Sequence, residues 1–143
     1  MPLADEHLTK ILLETHTIAM IGASIKPKRA SHMVGNYLVA AGFLVVPVNP
    51  GHAGKTLFGQ RVVASVSDID EPVDLLNVFR RPSEVAKVVR PALDALPGLK
   101  SVWMQLGIEN AEARTAAEAK GLSVVEDRCI LVEHRRLLGR ESA

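Results

Sequence analysis

The sequence predicts an α/β domain built on a five-stranded parallel sheet, and three observations lead to this prediction. Five short apolar runs are rich in Val, Ile and Leu and lack a clean alternation, as is typical of strands buried on both faces. Stretches with helical periodicity lie between these runs, and the links are short, which favours right-handed crossovers between parallel strands. The predicted strands are Thr17–Ile21, Phe43–Val48, Val73–Phe79, Ser101–Leu106 and Leu122–Val125.

The helices are predicted from positions that recur at helical spacing. An opening helix over Asp5–Glu14 is expected to pack on the outside. Pro91 is expected to kink the second of three later helices, because proline lacks the N–H that a helix interior uses. The residues that share a face in these three helices are Val34, Leu38 and Ala41, then Val85, Val88, Val89, Ala92, Leu93 and Leu96, then Ala113, Ala116, Ala117 and Lys120.

Glycines lie between predicted helices and the strands that follow them. Gly42, Gly98 and Gly121 each follow a predicted helix and precede a strand, so we expect each to adopt the left-handed conformation that ends a helix. Residues 49–72 are too polar and glycine-rich for a full helix, and we expect a loop with one helical turn near Val66–Ile69. Since no linker or repeat indicates a second unit, residues 1–143 are predicted to form a single domain.

Length and composition favour a folded intracellular protein. The chain has 143 residues, 48% of them hydrophobic, and a formal net charge of +1, which excludes a disordered chain. No apolar run approaches the ~18 residues of a spanning helix, and the first residues lack a secretory pattern. Because Cys129 is the one cysteine, no internal disulfide is possible, and we expect a cytoplasmic location. Aromatic residues are only 3% of the chain, which argues against nucleic-acid binding by base stacking.

The near-neutral total hides an uneven distribution of charge. Residues 15–67 contain no Asp or Glu, but they contain Lys26, Lys28, Arg29, Lys55 and Arg61. Basic groups without neighbouring acids indicate an anionic ligand. The alternative is a surface on which acids from other segments lie close to these cations.

The first strand exit has the features of a phosphate site. Gly22 and Ala23 permit close approach to the backbone, Ser24 supplies a hydroxyl, and the chain then runs through three cations into a helix. The N-terminus of a helix presents unpaired N–H groups and a partial positive charge to an anion. The alternative is a tight strand–helix turn that binds nothing.

The second strand exit disfavours NAD as the ligand. The dinucleotide pattern G-x-G-x-x-G is not met, since its second and third glycines are replaced by Ser24 and Pro27. Asn49 stands where NAD-binding proteins place an acid on the ribose, and Lys55 follows shortly after it. A cation suits a phosphate on the ribose better than free hydroxyls, so NADP remains possible.

The third exit offers Phe79 as an aromatic face and Arg80 and Arg81 as donors for phosphate or carboxylate. Pairing of the two arginines with acids such as Glu84 or Asp94 is an equally good explanation. The fourth exit places the amide of Gln105 and a glycine beside the same edge of the sheet, whereas Trp103 and Met104 are predicted to belong to the core.

Several familiar sites are missing from the sequence. There is no P-loop, no H-E-x-x-H and no His/Cys cluster, so neither a metal nor a catalytic residue is assigned. Cys129 beside Arg128 is either a reactive thiol or, more often for a single cysteine, buried packing. The tail His134–Leu138 is predicted to be a solvated terminal turn.

The runs IGASIKPKRASHMVGNYLVAAGFLVVPVNP, VDLLNVFRRP, WMQLG and EDRC follow one another in the order and spacing of one known family. They resemble the small stand-alone coenzyme A-binding domain proteins of bacteria, which are similar to the CoA-binding domain of the succinyl-CoA synthetase alpha subunit. The resemblance covers roughly residues 8–138. It implies a Rossmann-like, three-layer α/β/α fold that binds coenzyme A or an acyl-CoA at the carboxyl ends of its strands.

The resemblance also implies a set of ligand-binding residues. The first exit would face the CoA phosphates, the second would surround the adenosine, with Lys55 on the 3′-phosphate, and the pantetheine arm would cross the third and fourth exits. The full set is Gly22, Ala23, Ser24, Lys26, Arg29, Asn49, Pro50, Gly54, Lys55, Phe79, Arg80, Arg81, Gln105, Leu106 and Gly107.

The function implied by the resemblance is binding without catalysis, because the phospho-carrier histidine and the ATP-grasp machinery of the synthetase lie on further domains. Two alternatives remain open. One is an enzyme or redox sensor that uses an NADP-type nucleotide, and the other is a regulatory subunit that has kept the fold and lost the ligand. Neither the acyl group nor the oligomeric state follows from the sequence.

Overall fold

The computed structural model describes residues 3–139, and within them a five-stranded parallel sheet and five α-helices are present. In this part of the chain no helix has both the length and the apolar character needed to cross a bilayer. Short 3₁₀ turns lie at Pro50–His52, Val66–Asp68 and Pro82–Glu84. The elements are α1 (Asp5–Leu13), β1 (Thr17–Ile21), α2 (Ala30–Ala40), β2 (Leu44–Val48), β3 (Thr56–Leu57), β4 (Gln60–Arg61), β5 (Leu75–Val78), α3 (Val85–Ala95), β6 (Ser101–Met104), α4 (Ala111–Ala119), β7 (Ser123–Val125) and α5 (Ile130–Leu137).

The sheet has the strand order β2-β1-β5-β6-β7, with every neighbouring pair parallel. The chain therefore leaves β1 on one side to form β2, and later returns to the other side of β1 to form β5. This reversal confirms the predicted Rossmann-like α/β class. In open α/β sheets, such a reversal opens a crevice at the carboxyl ends of the strands.

Alternate strand residues build one core on each face of the sheet. On one face, Ile18 and Met20 pack with buried residues of α1, α2 and α5. On the other face, Ala19 and Leu76 pack with buried residues of α3 and α4. Strands that are covered on both faces consist of continuous apolar residues, and for this reason they could be predicted from the apolar runs in the sequence. Trp103 is fully buried, as predicted.

Two of the three predicted glycine caps are confirmed. Gly42 and Gly121 have φ of 106° and 82°, the left-handed conformation that ends a helix. The prediction for Gly98 is wrong, because α3 already ends at Ala95 and Gly98 lies outside the left-handed region. The helix itself continues through Pro91.

The segment that follows β2 contains the predicted helical turn, at Val66–Asp68, together with a small antiparallel hairpin of β3 and β4 that the sequence analysis did not foresee. Leu57 and Val62 of this hairpin are buried in the core beneath α2. Val63 continues alongside β2, since its N–H donates to Pro47 O at 3.0 Å and its carbonyl accepts the N–H of Asn49 at 2.9 Å. The hairpin thus covers an edge strand of the main sheet.

The predicted solvated tail is wrong, since these residues form α5 and pack against the body of the protein. His134 Nδ1 lies 2.8 Å from the hydroxyl of Tyr37, and its ring contacts the rings of Tyr37 and Phe43 edge-on. Burial lowers the pKa of His134. The preceding residue, Glu133, is buried and paired with Arg128 at 3.2 Å and with Arg136 at 2.6 Å.

Candidate functional site

The candidate site lies at the carboxyl edge, which we define as the loops that follow β1, β2, β5 and β6. Strand register brings the first three of these loops together, because Ile21 pairs with Val48 on one side and with Val78 on the other. Backbone hydrogen bonds extend the contact beyond the strands: Gly22 donates to Val48 at 3.0 Å and Phe79 donates to Ile21 at 2.9 Å. The first three predicted exits are therefore direct neighbours.

Gly22 occupies the closest approach between the loops after β1 and β5. Its φ is 87°, and a Cβ atom at this position would collide with the backbone carbonyl of Phe79. The glycine at the first exit thus has a packing reason that is independent of any ligand. Ala23, the next residue, is completely buried.

The loop after β1 is folded so that its polar groups face each other and its cations face outward. Ser24 Oγ accepts the N–H of Lys26 at 3.1 Å, and the ring of His32 donates from Nδ1 to the carbonyl of Ser24 at 2.9 Å. Helix α2 begins directly after Arg29, which makes no side-chain capping bond, and its first turn contains no acid. The positive end of α2 and its first N–H groups therefore lie beside a cationic loop.

Asn49 connects the loops after β2 and β1. Its side-chain amide donates to Ala23 O at 2.8 Å, while its Oδ1 accepts the N–H of Gly51 at 2.9 Å. The family resemblance implies that Asn49 contacts the ligand, whereas in the structure both ends of its side chain already bind backbone. What remains for a ligand is the second amide hydrogen and a second lone pair on the oxygen.

Six cations on the carboxyl edge form no ion pair within residues 3–139: Lys26, Lys28, Arg29, Lys55, Arg80 and Arg81. No acid in this part of the chain forms an ion pair with these six, whereas Arg61 of β4 lines a cavity together with Asp68, Asp70 and Glu71, as the alternative for residues 15–67 expected. Glu84 pairs instead with Lys87 at 3.4 Å, and Asp94 pairs with Lys120 at 3.3 Å. The carboxyl edge thus concentrates positive charge that the described chain does not balance.

A narrow cavity of about 190 Å³ opens between the carboxyl edge and α3. Its walls are mostly apolar, with cationic side chains at Arg80 and Lys87 and polar ones at Asn49 and Ser65. Complete sites for drug-sized ligands measure roughly 300–1,000 Å³, so this cavity suits one ring system rather than a whole nucleotide. The lining residues are Ile21, Gly22, Val48, Asn49, Pro50, Ala64, Ser65, Val66, Arg80, Lys87, Val88 and Pro91.

The loop after β6 differs from the prediction in its details. Gln105 is buried, and its Oε1 accepts hydrogen bonds from Asn77 Nδ2 at 3.2 Å and from the N–H of Ile130 at 3.0 Å. This side chain joins β5, β6 and the start of α5. The N–H of Gly107 is engaged as well, donating to Asp127 Oδ1 at 2.6 Å. Leu106, by contrast, is 70% exposed and presents an apolar side chain to solvent.

Sequence reasoning missed two contributors to the carboxyl edge. Lys87 and Ser65 line the cavity from α3 and from the loop before the Val66–Asp68 turn. No motif marks either residue, and their positions follow only from how α3 packs on the sheet. The hairpin was missed because two strands of two residues each leave no periodic signal, and its turn is Phe58-Gly59 rather than a familiar turn pair.

Among residues 3–139, no three His, Cys, Asp or Glu side chains come together as they would around a metal ion. Cys129 is half-buried at the start of α5, where it makes no side-chain capping bond. The carboxyl edge therefore offers charge, backbone N–H groups and an apolar slot as its chemistry.

A family model described as a CoA binding domain matches residues 16–135. The chain belongs to the CoA-binding domain family. The match begins just before β1 and extends into α5, so it includes every strand exit described above. The resemblance seen in the sequence is thus confirmed at the level of the family.

Three similar proteins match this chain along nearly their whole length. The uncharacterized protein YneT of Bacillus subtilis strain 168 is 36% identical over 127 residues, which span 89% of this chain and 91% of the relative. A solved structure of cell-free ID.343 from Thermus thermophilus has 43% identity and a TM-score of 0.89, covering 95% of this chain and 100% of that one. A hypothetical protein from Pyrococcus horikoshii OT3 has 37% identity and a TM-score of 0.89, with 97% of each chain covered.

Proposed function

We propose that this protein binds coenzyme A or an acyl-CoA at the carboxyl edge and catalyses no reaction on it. The observation that supports this most strongly is the set of unpaired cations on the loops after β1, β2 and β5, one of which, Arg80, lines an apolar slot. Coenzyme A combines several phosphate charges with a heterocycle and a long uncharged arm, and the carboxyl edge offers a complement to each part. Family membership favours the same ligand.

In this proposal the pyrophosphate lies against the loop after β1. The first N–H groups of α2 and the side chains of Lys26 and Arg29 supply donors there, and Ser24 adds a hydroxyl. Charge-assisted hydrogen bonds to phosphate are about twice as strong as neutral ones. Lys55, exposed and unpaired beside Gly54, is the proposed partner of the 3′-phosphate.

The adenine ring occupies the narrow cavity beside α3, with Asn49 and Pro50 on one side and Arg80 on another. A guanidinium group stacks well on a flat heterocycle, which a lysine does not. The pantetheine arm then runs from Phe79 and Arg81 towards the loop after β6, where the exposed Leu106 provides an apolar contact. Gln105 acts in this scheme through the position of that loop, since its side chain is turned into the protein.

The non-catalytic part of the proposal follows from how the nucleophilic groups are placed. The hydroxyl of Ser24 is held by the N–H of Lys26, and its hydrogen bonds within residues 3–139 include neither a histidine nor a carboxylate side chain. Activation of a hydroxyl or a thiol requires an adjacent base. Binding therefore accounts for the arrangement more simply than turnover does.

The test is titration calorimetry of the purified protein with CoA, acetyl-CoA, dephospho-CoA, NAD and NADP. We expect CoA and acetyl-CoA to bind more tightly than either nicotinamide nucleotide, and bound CoA to raise the melting temperature by mass action. A clear preference for NADP would favour the nucleotide-dependent enzyme or sensor. The absence of measurable binding for all five ligands would contradict the proposal and favour a regulatory subunit that has kept the fold and lost the ligand.

A further inference from the structure

The hairpin of β3 and β4 has a turn that is unfavourable by itself. Phe58 and Gly59, its two turn residues, have φ of 58° and 75°. Both central residues of a tight hairpin turn of this type require positive φ, and the usual residues there are Asn, Asp and Gly. A bulky aromatic residue is a rare outlier in this conformation, so some contact made by the Phe58 side chain must offset its cost.

That contact is made with α2. The ring of Phe58 lies directly on Gly35, so that a Cβ atom at Gly35 would collide with three ring atoms. Gly35 is itself buried in the interior of α2, where glycine weakens a helix. Two locally unfavourable residues therefore meet at one interface. The ring of Phe58 also lies 6.0 Å from the ring of His32, at an interplanar angle of 59°.

The same contact links the two cationic loops of the proposed site. His32 holds the loop after β1 through its hydrogen bond to the carbonyl of Ser24. At the other end of the hairpin, the carbonyl of Lys55 accepts the N–H of Val62 at 2.7 Å. Phe58 thus lies between the segment that carries Lys55 and the segment that carries Lys26 and Arg29.

An isolated two-stranded hairpin is marginally stable in water, and strands of two residues are at the short limit. Leu57 and Val62 anchor the base of the hairpin in the core, but its tip is held by Phe58. Without that contact the tip would lose its fixed position, and Lys55, which precedes Phe58 by three residues along the chain, would keep only its backbone hydrogen bonds with His52 and Val62.

We propose that Phe58 is a positioning residue. Through its contacts with Gly35 and His32, it fixes Lys55 relative to the loop after β1. The protein can then distinguish ligands that carry a 3′-phosphate from ligands that lack it. This inference rests on the proposed function. It concerns selectivity within the CoA series, whereas binding of the rest of the ligand does not depend on it.

The experiment compares the affinities for CoA and dephospho-CoA in Phe58→Ala and in the wild type. We expect the CoA affinity to fall by about five- to tenfold, as when a charge-assisted contact is loosened rather than removed, and dephospho-CoA to change by less than about twofold. Combined with Lys55→Ala, the Phe58→Ala change should have almost no further effect on CoA, because its effect acts through that lysine.

Three further variants separate positioning from general stability. Gly35→Ala should reduce the CoA preference as Phe58→Ala does, since the added methyl displaces the ring. Phe58→Leu should restore most of the preference by keeping an apolar contact. Phe43→Ala removes another half-buried phenylalanine, which contacts His134 near the amino end of β2, and should leave the preference unchanged.

Equal weakening of CoA and dephospho-CoA in Phe58→Ala would overturn the inference and leave Phe58 a structural residue. The same conclusion would follow if Phe58→Ala still weakened CoA severalfold in the Lys55→Ala background. If Phe58→Ala does not fold, the affinities for CoA and dephospho-CoA are compared in Gly35→Ala and Phe58→Leu instead. Failure of the wild type to bind either ligand would instead contradict the proposed function.

Discussion

The side-chain amide of Asn49 donates a 2.8 Å hydrogen bond to the backbone carbonyl of Ala23, and thereby joins the exits of two neighbouring strands. The same side chain accepts the N–H of Gly51, so it fixes the start of the segment that leads to Lys55. Asn49 is therefore placed to organise the carboxyl edge whether or not it touches a ligand. This relationship gives the first prediction.

Asn49→Ala should lower the free energy of unfolding by about 1–2 kcal/mol, because the carbonyl of the buried Ala23 and the N–H of Gly51 each lose a partner. Asn49→Asp should weaken CoA binding more than Asn49→Ala does, because it adds a negative charge beside the anionic ligand. Urea unfolding and calorimetric titration measure the two effects. Asn36→Ala, which alters an exposed asparagine of α2, serves as the control. Unchanged stability in Asn49→Ala would show that the two loops are held together by other contacts.

Lys55→Ala should weaken CoA far more than dephospho-CoA. The loss of one charge-assisted hydrogen bond to the 3′-phosphate is expected to cost roughly 1.5–3 kcal/mol, or about ten- to a hundredfold in affinity. Lys10→Ala removes an exposed lysine from the end of α1, on the side of the amino ends of the strands, and should affect neither ligand. Equal weakening of CoA and dephospho-CoA would remove Lys55 from the 3′-phosphate.

Ser24→Asp should abolish measurable CoA binding while the fold survives. Aspartate can still accept the N–H of Lys26, and a carboxylate near the first turn of α2 is favourable to the helix. Towards the pyrophosphate, however, the same charge is repulsive, and like charges brought together at an interface cost several kcal/mol. Circular dichroism checks the fold and calorimetry checks the affinity, with Ser24→Ala as the neutral counterpart. Retained affinity in Ser24→Asp would mean that the ligand lies elsewhere.

The amino-acid sequence was sufficient to predict the sheet and the location of the carboxyl edge, and the reason is physical. Strands buried on both faces must be apolar throughout, and the carboxyl ends of parallel strands meet at one edge, so residues such as Gly22 and Arg80 could be assigned to one place. Unpaired cations could be anticipated as well, since residues 15–67 contain no acid that could neutralise them locally.

The direction in which each side chain points could not be predicted. Gln105 follows a strand just as a ligand-binding amide would, yet its partners are Asn77 and the N–H of Ile130, which are distant in sequence. His134 looked solvated because its neighbours are arginines, whereas the register of α5 turns it towards Tyr37. Such contacts depend on how helices pack on the sheet, and that packing leaves no local pattern.

The stability of the protein should depend on pH through His134. Burial lowers the pKa of His134 below its ordinary value of 6.5, so the unfolded chain binds a proton at pH values where the folded chain does not. The stabilisation that this site provides is therefore complete above pH 6.5 and declines as the pH falls through the window between the ordinary and the folded pKa. The cause of the lowered pKa is desolvation, since the ring of His134 is partly buried in contact with the rings of Tyr37 and Phe43.

Urea unfolding of the wild type and of His134→Gln between pH 8 and about pH 5 isolates this contribution, because other titrating groups affect both proteins alike. We expect the difference in the free energy of unfolding between the two to shrink as the pH falls. His16→Gln removes an exposed histidine and should leave the wild-type profile unchanged. A difference that stays constant with pH would mean that His134 contributes by packing alone, since its protonation would then cost the fold nothing.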